Sequence, residues 1–303
     1  MTAMVKEDTP VKGKKRPVER VYDLSIVVPA YNEVDAIVPT IEQLDEMIKS
    51  AGLDAEIVVV DDGSTDGTYE KAAQTVARVI RKEENVGYGH SLKTGIVQSK
   101  SNFVAIIDAD GTYPADKIPE MLEMCETADM IVGNRGAAMT GVPLVRKPAK
   151  WVLNKLANIL AQRKIPDLNS GLRVFRRESI ERFLGLMPDG FSFSTTSTLC
   201  MICSNLRVVY TPISYAKRVG HSKIRPTDFF RFMLLVVRII VLFHPLRVFL
   251  PLGAVLFALG AAKGIYDIFQ MNLSESAIFA LLAALVVWSL GLIADMISRL
   301  HFK

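Results

Sequence analysis

Short apolar runs alternate along the first half of the chain with stretches whose apolar positions recur at helical spacing. Leu24–Val28, Glu56–Val60, Phe103–Ile107 and Met130–Val132 predict strands, and Arg78–Arg81 predicts a weaker one. Between them, Val34–Ser50, Gly67–Ala77, Gly87–Gln98 and Pro114–Thr127 predict helices. Strands that are apolar throughout, alternating with helices, imply an α/β fold with a mostly parallel sheet covered on both faces. From residue 147 the pattern loosens. It predicts a helix over Lys147–Arg163, a strand near Leu172–Phe175, helices near Arg177–Leu186 and Thr195–Asn205, and a strand over Val208–Tyr210. No internal repeat is apparent.

The last quarter reads differently. Ser276–Ala294 carries no charge over nineteen residues, close to the ~20 that a membrane-spanning helix needs. Leu246–Ile268 predicts a second span, with Arg247 and Lys263 snorkelling to the headgroups. A buried core helix is the alternative. Before it lies Phe229–Phe243, whose Arg231 and Arg238 are seven positions apart and share one helical face. This segment predicts an interfacial helix closed by Pro245, the alternative being an extension of the first span.

Composition sharpens the division. The chain has 303 residues, 50% hydrophobic and 22% charged, with 36 Lys and Arg against 32 Asp and Glu. Those totals exclude a disordered, collagen-like or disulfide-stapled chain. The charge is unevenly placed: residues 229–298 hold only seven charged side chains in seventy positions. Lys217, Arg218, Lys223, Arg225, Arg231, Arg238 and Arg247 crowd the approach to the first span, opposed by Asp228. The positive-inside bias then puts the large domain and both termini on the cytoplasmic side. The polar, basic first twenty residues lack the apolar core of a signal peptide and predict a mobile arm. The expected divisions are 1–20 for the arm, 21–226 for an α/β domain, 227–244 for the interfacial helix, and 245–303 for a hairpin with spans at about 246–268 and 275–297. Gly253, Ala254, Gly260, Ala261 and Gly291 suit helix packing within one chain or between chains of a homo-oligomer. Cys125, Cys200 and Cys203 read as buried thiols, and His90, His221, His244 and His301 show no metal-ligand spacing.

In a parallel sheet ligands bind beyond the carboxyl ends of the strands. Three acidic clusters fall there: Pro29-Ala-Tyr31-Asn-Glu33 after the first strand, Asp61-Asp62-Gly-Ser-Thr-Asp66 after the second, and Asp108-Ala109-Asp110 after the fourth. Neither G-x-G-x-x-G nor G-x-x-x-x-G-K occurs, so the phosphates of any nucleotide bound there call for a metal. Asp108 and Asp110, two positions apart on an extended strand, would share one side and offer hard oxygens to Mg²⁺ or Mn²⁺. Helix capping is the alternative for such a pair.

The strings VVPAYNE, VVVDDGSTDGT, ENVGYGHSLKTGI, IIDADGTYP, VGNR and LNSGLRVFRR, in this order, resemble family 2 glycosyltransferases of the GT-A fold over about residues 22–225. With the two spans and Tyr215-Ala-Lys-Arg218-Val-Gly-His-Ser222-Lys223, the chain is similar to the polyprenyl-phosphate branch that includes dolichol-phosphate mannose synthases. The resemblance implies that Pro29, Tyr31, Glu33, Asp61, Asp62, Asp108, Ala109 and Asp110 bind a nucleotide sugar, with Asp108 and Asp110 also holding the metal. Lys93 either joins them or is a solvated helix lysine, and Asp66 reads as a helix cap.

A polyprenyl phosphate acceptor needs positive charge, for which Arg135, Arg146, Arg173, Arg218, Ser222 and Lys223 are the candidates. The resemblance implies that the Ser222-Lys223-Ile224 loop closes over the donor diphosphate, that the arginines after the VGNR strand meet the lipid phosphate, and that Asp110, Arg218 and Lys223 are catalytic. Arginine matches phosphate with a fork of donors. Arg173 has a structural ion pair as its alternative, and Arg176 and Arg177 read as a surface pair at a helix start. An acidic pair that would act as general base is replaced by Pro188-Asp-Gly-Phe-Ser-Phe-Ser-Thr-Thr-Ser, leaving Asp189 as a residual candidate. A phosphate monoester is already an oxyanion and needs no base, so the implied reaction is inverting transfer at the cytoplasmic membrane face. Dolichol-phosphate mannose synthases carry D-A-D-L-Q where this chain has Asp108-Ala-Asp110-Gly111-Thr112, which weakens an assignment to mannose. The competing readings are a non-catalytic nucleotide-sugar-binding membrane scaffold and transfer to a growing polysaccharide. No nucleic-acid partner is expected.

Overall fold

Strands β1 (Tyr22–Ala30), β2 (Ala55–Asp61), β3 (Arg78–Arg81), β4 (Ser101–Ile106), β5 (Met130–Asn134), β6 (Arg173–Arg176) and β7 (Val208–Pro212) form one sheet in the order β3-β2-β1-β4-β6-β5-β7. The computed structural model describes residues 22–136, 155–159, 161–190, 192–216, 228–270 and 274–302. All neighbouring pairs are parallel except those made by β6, which runs antiparallel to both β4 and β5. The carboxyl ends of β1, β2, β4, β5 and β7 therefore share one rim with the start of β6.

Both faces are covered, and the strands alternate between two cores. Val27, Val58, Val60, Val104 and Ile106 belong to one, and Leu24, Ile26, Val28, Val59 and Ala105 to the other. This two-sided burial is why the strands read as unbroken apolar runs. Helix α1 (Ile37–Ala51) inserts Ile37, Ile41 and Leu44 at spacings of four and three, and stops at Gly52, whose φ of 63° closes a left-handed cap on Lys49 O. Helix α2 (Thr68–Ala72) is shorter than the sequence implies, and the stretch expected as one helix over Pro114–Thr127 is a 3-10 turn followed by α4 (Ile118–Met124). Helix α3 (Tyr88–Gln98) lies close on β1 through Gly95, where a Cβ would run into Val27.

Beyond β5 the predicted helix over Lys147–Arg163 falls largely outside the described residues, of which 155–159 are helical. Helix α5 (Arg177–Glu181) ends early and is followed by a 3-10 turn at Leu184–Leu186. Its first residue corrects an expectation: Arg177 is buried, pairing with Glu181 and donating to Ser99 O, while Arg176 caps Cys125 O and Glu126 O. Helix α6 (Phe193–Cys203) is buried along its whole length. The three cysteines are free and buried.

Helix α7 (Asp228–Phe243) buries Val236, Ile239, Ile240 and Phe243 in the core that contains Leu199–Cys203 of α6. Leu234, Arg238 and Leu242 form an exposed row four residues apart. The segment is thus separate from the first span, and one of its faces docks onto the α/β domain. Two helices follow: α8 (Leu246–Phe269) and α9 (Glu275–Phe302). Their span windows have mean hydropathies of 1.9 and 2.6, yet only 11% and 17% of each is buried. A core helix would hide that surface, so an outward apolar face of this size fits lipid. Small residues pack the hairpin within the chain: a Cβ at Gly253 would meet Trp288, one at Gly260 would meet Ala280 and Leu281, and one at Gly291 would meet Phe249.

Gly95→Ala tests the α3 contact. Alanine gains about 1 kcal/mol of helix propensity over glycine, whereas overpacking a filled core costs roughly 1–3 kcal/mol. The full-length protein in detergent should therefore unfold at a lower temperature with the alanine; a raised Tm would show that β1 and α3 can separate without strain.

Candidate functional site

The first two acidic turns interlock. Asn32, at φ 53°, donates its amide to Ser64 Oγ and accepts Thr65 N on its side chain. Glu33 N reaches Thr68 Oγ1, and Val34 N reaches Asp66 Oδ2. The N-cap position of α2 is Gly67, one residue after the expected Asp66; the Asp66 carboxylate instead receives the Thr68 amide at 3.0 Å and ties the two turns together. Burial opposes its ionisation, but the Thr68 hydroxyl and the amides hold its carboxyl below the ordinary range. Pro29 precedes this clamp inside β1, opposite Val60 of β2, and Tyr31 lies between the strand end and Asn32.

Asp61 and Asp62 differ in what they face. Asp61 is fully buried; one carboxylate oxygen takes Ser64 N at 3.3 Å and the other has no hydrogen-bond partner among the described residues. A buried acceptor left unpaired costs about 1–3 kcal/mol, so a donor such as a hydroxyl or ring N–H that reached it would be stabilising. Asp62 is saturated from within, by Lys82 Nζ at 2.9 Å, Gly87 N at 2.8 Å and Val86 N at 3.3 Å. Burial raises its pKa, but Lys82 and the two amides outweigh it and hold the carboxyl below its ordinary value. Asp62 thus fastens the loop before α3 to the rim.

The third cluster lies past its strand. Because β4 ends at Ile106, Asp108 and Asp110 occupy a turn rather than an extended strand. Asp110 Oδ1 accepts the amide and hydroxyl of Thr112 at 3.2 and 2.6 Å, and Ala109 O is held by Thr40 Oγ1 of α1. Asp108 Oδ1 receives the Tyr88 hydroxyl at 2.8 Å. Burial, followed by the Asp108 charge, pushes the Tyr88 phenol well above its usual pKa, so it stays a donor. Among the described residues no group of three or more His, Cys, Asp or Glu gathers to cage an ion. Two hard carboxylates completed by a substrate's phosphates are a donor set that suits Mg²⁺ or Mn²⁺.

Arg135, at the end of β5, grips Asp167 with two parallel bonds of 2.7 and 2.8 Å and lies 5.3 Å over the Tyr215 ring. Burial works against its charge, but Asp167 outweighs it and raises the pKa; burial likewise opposes Asp167, whose carboxyl Arg135 holds low. Tyr113 completes this side, accepting Gly171 N at 2.7 Å and Arg135 Nη1 at 3.3 Å. Ala216 N donates to Thr112 O at 3.0 Å, so the chain leading into the basic segment is bonded to the Asp110 turn.

Other sequence expectations land elsewhere. Arg173, expected at an acceptor phosphate, is fully buried because β6 is a central strand, and its donors all point into the core. Lys93 is partly exposed and pairs with the exposed Asp189 at 2.6 Å, also reaching Met187 O. Lys93 is the main cause of an Asp189 carboxyl held below its ordinary value. Arg146, Arg218, Ser222 and Lys223 lie outside the described residues. Sequence reasoning missed Lys82, Tyr88, Tyr113, Asp167 and Tyr215. Tyr88, Tyr113 and Tyr215 stand inside the strings that carry the family resemblance, and Lys82 directly follows β3 at the same rim, but nothing local marks Asp167.

Residues 25–184 match the glycosyl transferase family 2 pattern, and residues 244–300 match the GtrB C-terminal hairpin. The chain is 26% identical over 316 residues to a dodecaprenyl-phosphate galacturonate synthase of Rhizobium johnstonii, covering 97% of this chain and 93% of that protein. It is 30% identical over 207 residues to a low-salt glycan biosynthesis hexosyltransferase of Haloferax volcanii; that match takes in 66% of this chain but only 49% of the longer relative. Its fold is similar to glucosyl-3-phosphoglycerate synthase of Mycobacterium tuberculosis, solved with Mn²⁺ and UDP, at 20% identity and a TM-score of 0.52, over 73% of this chain and 79% of that one.

Lys82→Met should destabilise the protein by up to about 3 kcal/mol at pH 7, because it strips a buried carboxylate of its cation. The sign of the pH effect follows from Asp62. A carboxyl held below its ordinary 3.8 stabilises the fold above that value and loses the contribution as pH falls through the folded-state pKa. The gap in Tm between wild type and Lys82→Met should therefore narrow as unfolding is followed from pH 7 to pH 3. A gap independent of pH would refute the pairing.

Proposed function

The chain belongs to glycosyl transferase family 2, and from that premise we propose that it transfers a sugar from a nucleotide sugar to a polyprenyl phosphate at the cytoplasmic face of a membrane, inverting the anomeric carbon. The observation that carries this reading is the meeting at one rim of acidic and basic elements. The Asp108–Asp110 turn, the Arg135–Asp167 pair and the residues that lead towards the basic segment, Tyr215 and Ala216, are joined through Thr112, Tyr113 and the Tyr215 ring. The whole-length similarity to a dodecaprenyl-phosphate galacturonate synthase supports a lipid phosphate as acceptor, and the hairpin supports a membrane site.

On this reading the unpaired Asp61 oxygen takes a donor from the base or ribose, and the clamp of Asn32, Ser64 and Asp66 keeps that pocket in register with the third turn. Asp108 and Asp110 would hold a divalent cation, Mg²⁺ or Mn²⁺, which would supply positive charge against the leaving diphosphate. Tyr88 keeps one Asp108 oxygen occupied and so orients the other. The acceptor phosphate is drawn by Arg135 together with Arg146, Arg218, Ser222 and Lys223 of the adjoining segments. Its oxygen forms a bond to the anomeric carbon while the bond to the nucleoside diphosphate breaks, and the electron pair leaves with the diphosphate. No proton has to be removed, because the nucleophile is already anionic. Asp189 supports that conclusion: it is occupied by Lys93 and held below the pKa that a base at neutral pH requires.

Membranes containing the protein, given UDP-, GDP- or dTDP-sugars with a polyprenyl phosphate and Mn²⁺, should label the lipid from one donor. EDTA or Asp110→Asn should lower transfer by more than about 100-fold, the upper end for residues that merely support a metal ligand. Asp189→Asn should escape the roughly 100- to 10,000-fold loss that removing a general base brings. Nucleotide binding without transfer to any lipid phosphate would instead identify a scaffold.

A further inference from the structure

We infer that Arg173 is a positioning residue of the transfer site, holding the turn 167–171 from inside the core so that it stays pressed between Asp108 and Arg135. The inference rests on the reading of the site proposed above.

The side chain is fully buried. Its guanidinium donates through Nε to Ser170 O at 2.8 Å, through Nη2 to Leu168 O at 3.1 Å, and through Nη1 to Thr198 Oγ1 at 2.7 Å and Ser197 Oγ at 3.3 Å. These acceptors are two carbonyls of one turn and two hydroxyls of α6, with Met130 Sδ also 3.5 Å from Nη1, and none is a carboxylate. Asp167 stabilises this cation only from a distance and is itself bonded to Arg135. Burying a cation with no carboxylate in contact is costly, and an apolar side chain of similar length would fill the space without that cost. What an apolar side chain cannot do is bridge the turn to the helix, which needs a fork of rigid donors.

The turn so held touches both charged sides of the site. Asp167 at its start grips Arg135 in two bonds. Asn169 is bonded to Thr195 of α6. Gly171 at its end donates to Tyr113 Oη at 2.7 Å and sits so close to Asp108 that a Cβ would strike the carboxylate. Freeing Leu168 O and Ser170 O would let the turn drift from Asp108 and loosen Asp167. Arg173 therefore acts on the metal-binding carboxylate through the backbone, without itself meeting substrate.

The test uses full-length protein in detergent. Arg173→Lys and Arg173→Met are compared with wild type for Tm, for Mn²⁺ affinity read from the EPR signal of free Mn²⁺ with UDP or GDP present, and for kcat and KM. The folded variants should bind Mn²⁺ about 10- to 100-fold more weakly, with kcat falling alongside, as when a group that orients a metal ligand is removed. Wild-type Mn²⁺ affinity in a folded variant overturns the inference. So does a rise in KM for the lipid alone, which would make Arg173 an acceptor contact. If neither variant folds, Gly171→Ala displaces the turn from the Asp108 side while Arg173 remains; unchanged Mn²⁺ affinity there also overturns it. Wild-type protein that binds Mn²⁺ with nucleotide but transfers no sugar counts against the proposed function and leaves the positioning role to be decided by the EPR arm.

Discussion

Carboxylates gathered at the ends of parallel strands repel one another unless each has its own donor, and the site is organised around supplying those donors. Asp62 receives Lys82 and the amides of Val86 and Gly87. Asp108 receives the Tyr88 hydroxyl, Asp110 the Thr112 turn, and Asp167 both arms of Arg135. Asp66 spends its oxygens on Thr68 and Val34. Each bond also fixes a loop, so the charge compensation that permits the cluster is the same set of contacts that shapes it. Asp61 stands apart, since one of its oxygens is buried with no such donor among the described residues.

The donors come from elements far apart in the chain. Lys82 follows β3, Tyr88 opens α3, Arg135 follows β5, and Asp167 precedes β6. The parallel sheet brings them to one rim, and the reversal at β6 lets a strand begin there, so the turn before it can reach Asp108 and Arg135 together. Helix α6 backs this turn through Thr195, Ser197 and Thr198. Its other half, Leu199–Cys203, packs on α7, and Cys203 O meets His244 between α7 and α8. One buried helix therefore runs from the acidic rim to the root of the hairpin.

The hairpin obeys a different solvent. Its surface is apolar and outward-facing, while contact between α8 and α9 comes from glycines receiving Trp288, Leu281 and Phe249, as expected where lipid competes for every apolar side chain. Asp267 closes its far end, accepting Lys263 and the Ser274 amide, and at the other end Asp295 pairs with Arg299.

The order of strands and helices, the two spans and the three acidic clusters were legible in the sequence, because periodicity, charge-free length and position after an apolar run are local properties of the chain. Gly67–Ala77 and Pro114–Thr127 were read too long, since helical spacing continues past the point where packing ends the helix. The roles of Arg173, Arg177 and Lys93 were decided only by tertiary structure. An arginine or lysine is the same letter in a core, on a surface or beside a phosphate. What distinguishes them is which carbonyls, hydroxyls and carboxylates the fold brings within 3 Å or so of the charged group, and those partners lie tens of residues away.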